Sequence, residues 1–407
     1  MPKFALTGTY SAQNKGDAAM QVSTAASLSK FGANIAILAP FVEKDEPKYA
    51  PLEVIYCDRR KLIRSTLNIA AIAIGNLLAK RPSEPHTAKN CVEHTANSDL
   101  VIDLSGDMLT EDYGPHVAYS HYLPILRALV LRKPYFICAQ SIGPFSLTKP
   151  IARFLLNRAA AITVRDEISL EYLKSIGIRQ DHLKQTADMA FLLPAEVGNC
   201  ATSWETLGLD AEKDTLGVSV SRLVADKFDK QVGKKGAFVK LVAKTVNHIA
   251  LKHDLQVLFT PHVTGPTDIK DDRIISRDVQ KILAAEIVSA VIEEDLPPQG
   301  LKYFIAKCCM MVGTRMHANI GALSSHLPVI AISYSHKTPG IMRACGVENY
   351  VVDFPDLTFE RLSERIDSAY ANRATLSEKL AIAVEKQRKK AQENVNIAME
   401  IALGERT

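Results

Sequence analysis

MMVGTRMHANIGALSSHLPVIAISYSHKT, residues 310–338, reads as an apolar strand, a tight turn at Gly313, a helix, and a second apolar strand ending near Tyr334. Uninterrupted apolar runs alternating with helices indicate parallel strands covered on both faces. Within that frame Arg315 and His317 fall where the strand gives way to the helix. Core packing favours neither residue there. A helix start beyond the carboxyl end of a parallel strand, by contrast, is a place where α/β sheets seat anions.

The same alternation extends in both directions from this stretch. In the first half, KFALTGT, ANIAILA, LEVIYC, SDLVIDLSG, PYFICAQSIG and AAITVRD read as strands, with helices over NKGDAAMQVSTAASLSKFG and near Ala118–Leu131. The pattern restarts after Pro194 with DTLGVSVS, a helix around Phe238–His253, LQVLFTPH, IVSAVI and a helix around Gly300–Lys307. Two such series predict two doubly wound, Rossmann-like α/β domains facing a cleft. The expected boundaries are 1–194 and 195–375, followed by a C-terminal helix over 376–407. That helix could pack back across the domains or offer a surface to a second copy of the chain.

Composition supports a globular chain. It has 407 residues, 47% of them hydrophobic, and a net charge of only +4, which suits small anions or a lipid surface and argues against nucleic acid as the partner. Seven cysteines without a C-x-x-C pair suggest neither a disulfide framework nor a zinc site. MPKFALTGTY has neither the basic start nor the apolar core of a signal peptide, so a cytoplasmic location is expected. The segment Arg59–Arg81 has an apolar centre with basic flanks. It is short for a membrane span and reads as packed helix, with contact at the inner membrane surface as the other reading.

Several strand ends carry polar or ionic residues: Asn14 and Asp17, Asp107, Ser141, Arg165, Ser219 and Ser221, His262, Gly313-Thr314-Arg315, and His336-Lys337 before Pro339. Gly313 permits the tight turn, Arg315 offers a planar fork to a carboxylate or phosphate, and His317 can exchange a proton near neutral pH. A domain-bridging salt link for Arg315 and a satisfied core histidine for His317 are the structural alternatives. Arg165 directly follows an apolar strand and is either a second ligand-facing cation or one half of a pair with Asp166 or Glu167. Asp107, Glu111 and Asp112 could hold a divalent ion, but Asp107 serves equally well as an acceptor-binding carboxylate or a base. No G-x-G-x-x-G follows the first strand and no G-K-[ST] loop occurs, which weakens dinucleotide and P-loop chemistry.

Taken in order, NKGDAAM, SGDMLTEDYG, SIGPF, TVRDE, ADMAFLL, GVSVS, TPH and GTRMHANIGAL with PVIAISYSHKTPGIM resemble the polysaccharide pyruvyl transferase family. The resemblance implies a GT-B-like fold and transfer of the enolpyruvyl skeleton of phosphoenolpyruvate onto a sugar of a cell-surface polysaccharide or its lipid-linked precursor. The product is a pyruvate ketal, phosphate is released, and neither metal nor organic cofactor is needed. It also implies an acceptor side in the first domain and a donor side in the second. The family's cleft arginine falls on Arg165, and its Arg-x-His motif on Arg315 and His317. These three are therefore the expected catalytic residues, with Gly313, Thr314, His262, His336 and Lys337 beside the donor, and Asn14, Asp17, Asp107 and Ser141 toward the acceptor. Two positions depart from the family pattern: Ser105 replaces the first glycine of Gly-Gly-Asp, and Met189 replaces the proline of Asp-Pro-Ala-Phe. The competing readings are a nucleotide-sugar glycosyltransferase of the same fold and a non-catalytic anion- or sugar-binding protein of a polymer-assembly complex.

Overall fold

The computed structural model describes residues 1–57, 66–67, 69–71, 89–198, 200–334 and 337–405. Most of the segment 59–81 and His336 lie outside the described residues, as does the side chain of Lys337, which opens the helix Lys337–Ala344. The chain divides into two compact units. The first comprises Met1–Ala12, Met20–Leu192 and Arg388–Thr407, and the second Gln13–Ala19 and Leu193–Gln387.

Unit 1 is built on strands β1 (Lys3–Thr7), β2 (Asn34–Ala39), β3 (Glu53–Tyr56), β4 (Leu100–Asp103), β5 (Tyr135–Gln140), β6 (Ala161–Val164) and β7 (Leu183–Gln185). Their order is β3-β2-β1-β4-β5-β6-β7, with every pairing parallel. Unit 2 holds β8 (Thr215–Ser219), β9 (Gln256–Phe259), β10 (Ser289–Val291), β11 (Met310–Gly313), β12 (Val329–Ser333) and β13 (Val351–Asp353). Here the order is β10-β9-β8-β11-β12-β13, again wholly parallel. Both sheets are doubly wound, as the alternation of elements predicts. Each has a reversal point, between β1 and β4 in unit 1 and between β8 and β11 in unit 2, where ligands of such sheets are bound.

Strands β8, β9, β11 and β12 are buried along their whole length, which explains their mainly apolar sequences. Each large apolar side chain enclosed there stabilises the unit by about 1.5–3 kcal/mol relative to exposure. The strands thereby fix the positions of the polar residues that follow them.

Gln13–Ala19 belongs to unit 2 although the helix it opens, Lys15–Ser29, continues into unit 1. Asn14 starts this helix: its Oδ1 accepts from Gly16 N at 3.1 Å and its carbonyl from Ala18 N at 3.0 Å. The residues before it run antiparallel to the loop after β9. An isolated bridge joins Asn14 to Val263, Lys15 N donates to His262 O at 2.8 Å, and Thr264 N donates to Gln13 O at 3.0 Å. The C-terminal helix Arg373–Ala402 also has residues in both units. In unit 2, Ser377 Oγ donates to His326 O; in unit 1, Asn394 Nδ2 donates to Ala187 O.

Candidate active site

At the reversal point of the unit 2 sheet, Gly313 ends β11 and Arg315 occupies the N-cap position of the helix Met316–Leu323. A guanidinium has only donors, and no side chain at the N-cap accepts from the first turn of this helix. The turn is tight. A Cβ on Gly313 would lie 2.0 Å from Asn319 Oδ1, inside the volume of a buried side chain. Thr314 is spent on structure: its N–H and its hydroxyl both donate to Ser219 O, at 2.8 and 3.1 Å, tying β11 to β8 beyond their ends.

Arg315 is oriented by a residue that the sequence reading did not single out. Asp272, fully buried, accepts from Arg315 Nε at 2.9 Å and from Nη2 at 2.7 Å. The same carboxylate accepts from Val263 N at 3.1 Å and from Arg222 N at 3.4 Å. One side chain thus joins the loops after β8, β9 and β11. Burial pushes the Asp272 carboxyl above its ordinary range, while the guanidinium and the two backbone N–H groups oppose that. Asp272 takes one edge of the fork, and the Arg315 side chain retains 24% exposure. A fixed, partly exposed guanidinium is suited to a two-pronged hold on an oxyanion.

His317 is half-buried in the first turn of the same helix. Its ring rests against the backbone of Gly16, where a Cβ would stand 2.2 Å from His317 Nδ1. NKGD therefore contributes a flat seat for the imidazole, which only glycine provides. Asn14 and Asp17, expected on the acceptor side, are bonded to each other, Asn14 Nδ2 donating to Asp17 Oδ1 at 2.9 Å. Lys15 is 2% exposed and pairs with Asp295, which also accepts from Thr264 Oγ1 at 2.6 Å.

His262 follows β9 and is buried. Its Nδ1 lies 3.0 Å from Thr260 O, and since a carbonyl only accepts, that nitrogen carries the proton. Burial, then the neighbouring His317, Arg315 and Lys15 charges, depress its pKa to about 3 against the support of the Thr260 carbonyl. At neutral pH His262 is an uncharged ring whose Nε2 carries a lone pair, so any part it takes near an anion is not that of a cation. Ser221, after β8, is fully buried and its hydroxyl makes no hydrogen bond among the described residues.

Of the remaining expected residues, Arg165, Ser141 and Asp107 lie in unit 1. Arg165 is 2% exposed, and Nη1 donates to fully buried Asp188 at 2.5 Å while Nε donates to Ser141 Oγ at 2.9 Å. Ser141 in turn donates to Asp166 Oδ2 at 2.6 Å, and Asp166 caps the helix Glu167–Ser175 through Ser169 N. Arg165 thus has a partner outside both arrangements considered from sequence: the buried Asp188 of ADMAFLL, rather than Asp166 or Glu167. Asp107 accepts from Tyr113 at 2.9 Å. Ser105, the departure from Gly-Gly-Asp, places its Oγ 2.9 Å from His121 Nδ1. Among the described residues no cluster of three or more metal-ligating side chains occurs, and no helix is long and apolar enough to cross a membrane.

Two doubly wound α/β units define a GT-B-like fold, and solved structures of that kind resemble this chain along nearly its whole length. The UDP-GlcNAc 2-epimerase from Neisseria meningitidis bound to UDP-GlcNAc is 14% identical, with a TM-score of 0.64 over 98% of this chain and 100% of that one. S. aureus MnaA, solved with UDP, is 13% identical, with a TM-score of 0.63 over 99% and 97%. At such identities the likeness concerns the fold alone. The sequence profile of the polysaccharide pyruvyl transferases matches residues 14–336, a span that runs from the Asn14 cap through the Arg315–His317 turn, and the chain belongs to that family. The amylovoran biosynthesis protein AmsJ from Erwinia amylovora is 25% identical over 321 residues, 77% of this chain and 75% of that protein.

Proposed function

We propose that the protein transfers the enolpyruvyl skeleton of phosphoenolpyruvate to two hydroxyls of a sugar in a polysaccharide or its lipid-linked precursor, forming a pyruvate ketal. The observation that carries this reading is the Asp272-oriented Arg315 fork at the start of a helix, with His317 two residues on in the first turn. Phosphoenolpyruvate presents a carboxylate and a phosphate close together. The fork and the uncapped helix start match such a dianion, and the unpaired Ser221 hydroxyl supplies a further donor.

In the proposed chemistry protonated His317 delivers a proton to the methylene carbon, generating an oxocarbenium-like centre at the neighbouring carbon. One sugar hydroxyl adds there, phosphate departs, and the second hydroxyl closes the ketal. Of the two hydroxyl protons released, one leaves with the phosphate and the other restores the acid. Acceptor binding is assigned to unit 1, with Asp107 and Ser141 as its polar groups and Arg165 as the buried cation that orders Ser141.

The test combines binding with turnover. Phosphoenolpyruvate should raise the melting temperature without added metal, more so with increasing concentration, and a pyruvylated sugar should appear by mass spectrometry. His317→Ala should lose ~10²-fold or more in single-turnover rate with little change in donor affinity. Stabilisation by UDP- or GDP-sugars and none by phosphoenolpyruvate would replace this reading by glycosyl transfer.

A further inference from the structure

Away from this site, Arg127 on the helix Pro115–Val130 has an unusual environment. It is 7% exposed, and its Nη1 donates to two sulfurs, Cys57 Sγ at 2.9 Å and Cys91 Sγ at 3.1 Å. Those lengths fall in the range of N–H···O bonds, although sulfur is the larger acceptor. No carboxylate lies within ion-pair distance of Arg127 among the described residues. A guanidinium stays protonated in proteins, and a buried charge persists only when compensated. The compensation here falls to sulfur.

Both cysteines are held by the fold of unit 1. Cys57 continues the sheet past β3, its N–H donating to Ala39 O at 2.9 Å, and Cys91 lies on the helix Lys89–Asn97. They are 1% and 3% exposed within one apolar cluster. Among the described side chains, the other titratable groups on these elements lie toward the surface: Glu53, Tyr56 and Glu93 are exposed, and His94 sits 3.7 Å from Glu53. Nearby Tyr122 and Tyr135 direct their hydroxyls to Thr148 and to Leu155 O. Burial lowers the proton affinity of Arg127, and the two adjacent sulfurs more than reverse this. Cys138 and Cys308, buried without a cation beside them, have their thiols pushed up instead.

We propose that Cys57, Cys91 and Arg127 form a redox site in which the guanidinium holds one sulfur as the thiolate and peroxide converts the pair to a disulfide. The thiolate attacks one peroxide oxygen and the O–O bond breaks, leaving a sulfenic acid and hydroxide. The second thiol then displaces the sulfenic oxygen, which departs as water, so two electrons pass from the pair to the peroxide. Because both sulfurs contact one nitrogen, they can be no farther apart than the sum of those two contacts, and the link requires them to close that gap. A disulfide carries no charge, so oxidation removes the counter-ion of Arg127. The contact that activates the thiolate therefore also favours the reduced state, and thiols should reverse the link readily.

The experiment uses the full chain as wild type, Cys57→Ser, Cys91→Ser, Arg127→Met and Arg127→Lys. Ultraviolet titration of thiolate should show one cysteine ionising below about pH 7 in the wild type, where a cation-stabilised thiol is expected to titrate. Arg127→Met should lose this step and slow alkylation at neutral pH by about tenfold or more, whereas Arg127→Lys should retain part of it. Peroxide followed by non-reducing digestion should yield a Cys57–Cys91 peptide that glutathione cleaves. If Arg127→Met fails to fold, the wild type and the two serine variants decide the matter. Every thiol titrating above about pH 8.5, or peroxide leaving the two cysteines unlinked, would overturn the proposal.

Discussion

Gly16 and Asp272 matter because each fixes the geometry of another side chain. The Gly16 backbone is the surface on which the His317 ring lies, so Gly16→Ala forces a Cβ to within 2.2 Å of Nδ1 and must displace the imidazole. A displacement on the order of 1 Å at a reacting group costs about 10²-fold in rate. Gly16→Ala should therefore lose turnover on that scale while circular dichroism and donor binding stay near wild type. Loss of donor binding with unchanged turnover would assign the glycine a different part. Asp272 holds Arg315 by two bonds and two neighbouring loops by one each. Removing one partner of a buried ion pair typically costs about 3–5 kcal/mol. Asp272→Ala should lose that much in denaturant unfolding of unit 2, and the milder Asp272→Asn should weaken donor binding while unit 2 remains folded. Arg315→Lys should not restore the grip, since an ammonium cannot be held by, or hold, two oxygens side by side.

At the scale of elements, the turn from β11 into the helix Met316–Leu323 is packed around one contact. Gly313→Ala should destabilise unit 2 by about 1–3 kcal/mol through overpacking against Asn319, and Asn319→Ala in the same chain should recover part of the loss. Additive losses in that double-mutant cycle would refute direct contact. The strands of this element were plain in the sequence because MMVG and VIAIS are buried on both faces and therefore apolar but for the terminal Ser333. The helix Ala237–His253 was legible from its periodicity, within a residue of its observed start. The short edge strands β7 and β13 carry no such signal: LKQ and VVD are three residues each and partly exposed. Arg315 and His317 stood out as ionic residues in an apolar context. Their supports did not. Asp272 lies 43 residues from Arg315 inside the polar run TDIKDDR, where a buried carboxylate looks like any surface acid. Only the folding of β9 and β11 beside β8 brings the two together. Gly16 was visible only as part of NKGD, and Asp188 only through the family pattern of ADMAFLL, because a seat and a counter-ion are properties of three-dimensional packing.

For the molecule as a whole, these buried ionisable groups make stability depend on pH, and His262 gives the sign most directly. Its folded-state pKa is depressed to about 3, chiefly by burial. An unfolded imidazole titrates near 6.5. As pH falls below that value the unfolded chain gains a proton that native unit 2 refuses, so the unfolded state is favoured. The stabilisation contributed by a neutral His262 is therefore complete above about pH 6.5 and is lost progressively toward about pH 3, at up to roughly 1.4 kcal/mol per pH unit. A chain of two compact units need not unfold in a single transition, so the measurement must follow unit 2 by itself. Trp204 lies in unit 2, against Phe304, and is the chain's one tryptophan, which makes its fluorescence a reporter confined to that unit. Urea titrations at pH 7.5 and pH 5 should show the wild type losing about 2 kcal/mol more than His262→Asn, whose side chain has no proton to gain. Equal losses in the two proteins would move the acid sensitivity of unit 2 away from His262; Asp272 could not account for it, since a carboxyl held above its ordinary range favours the folded state as pH falls.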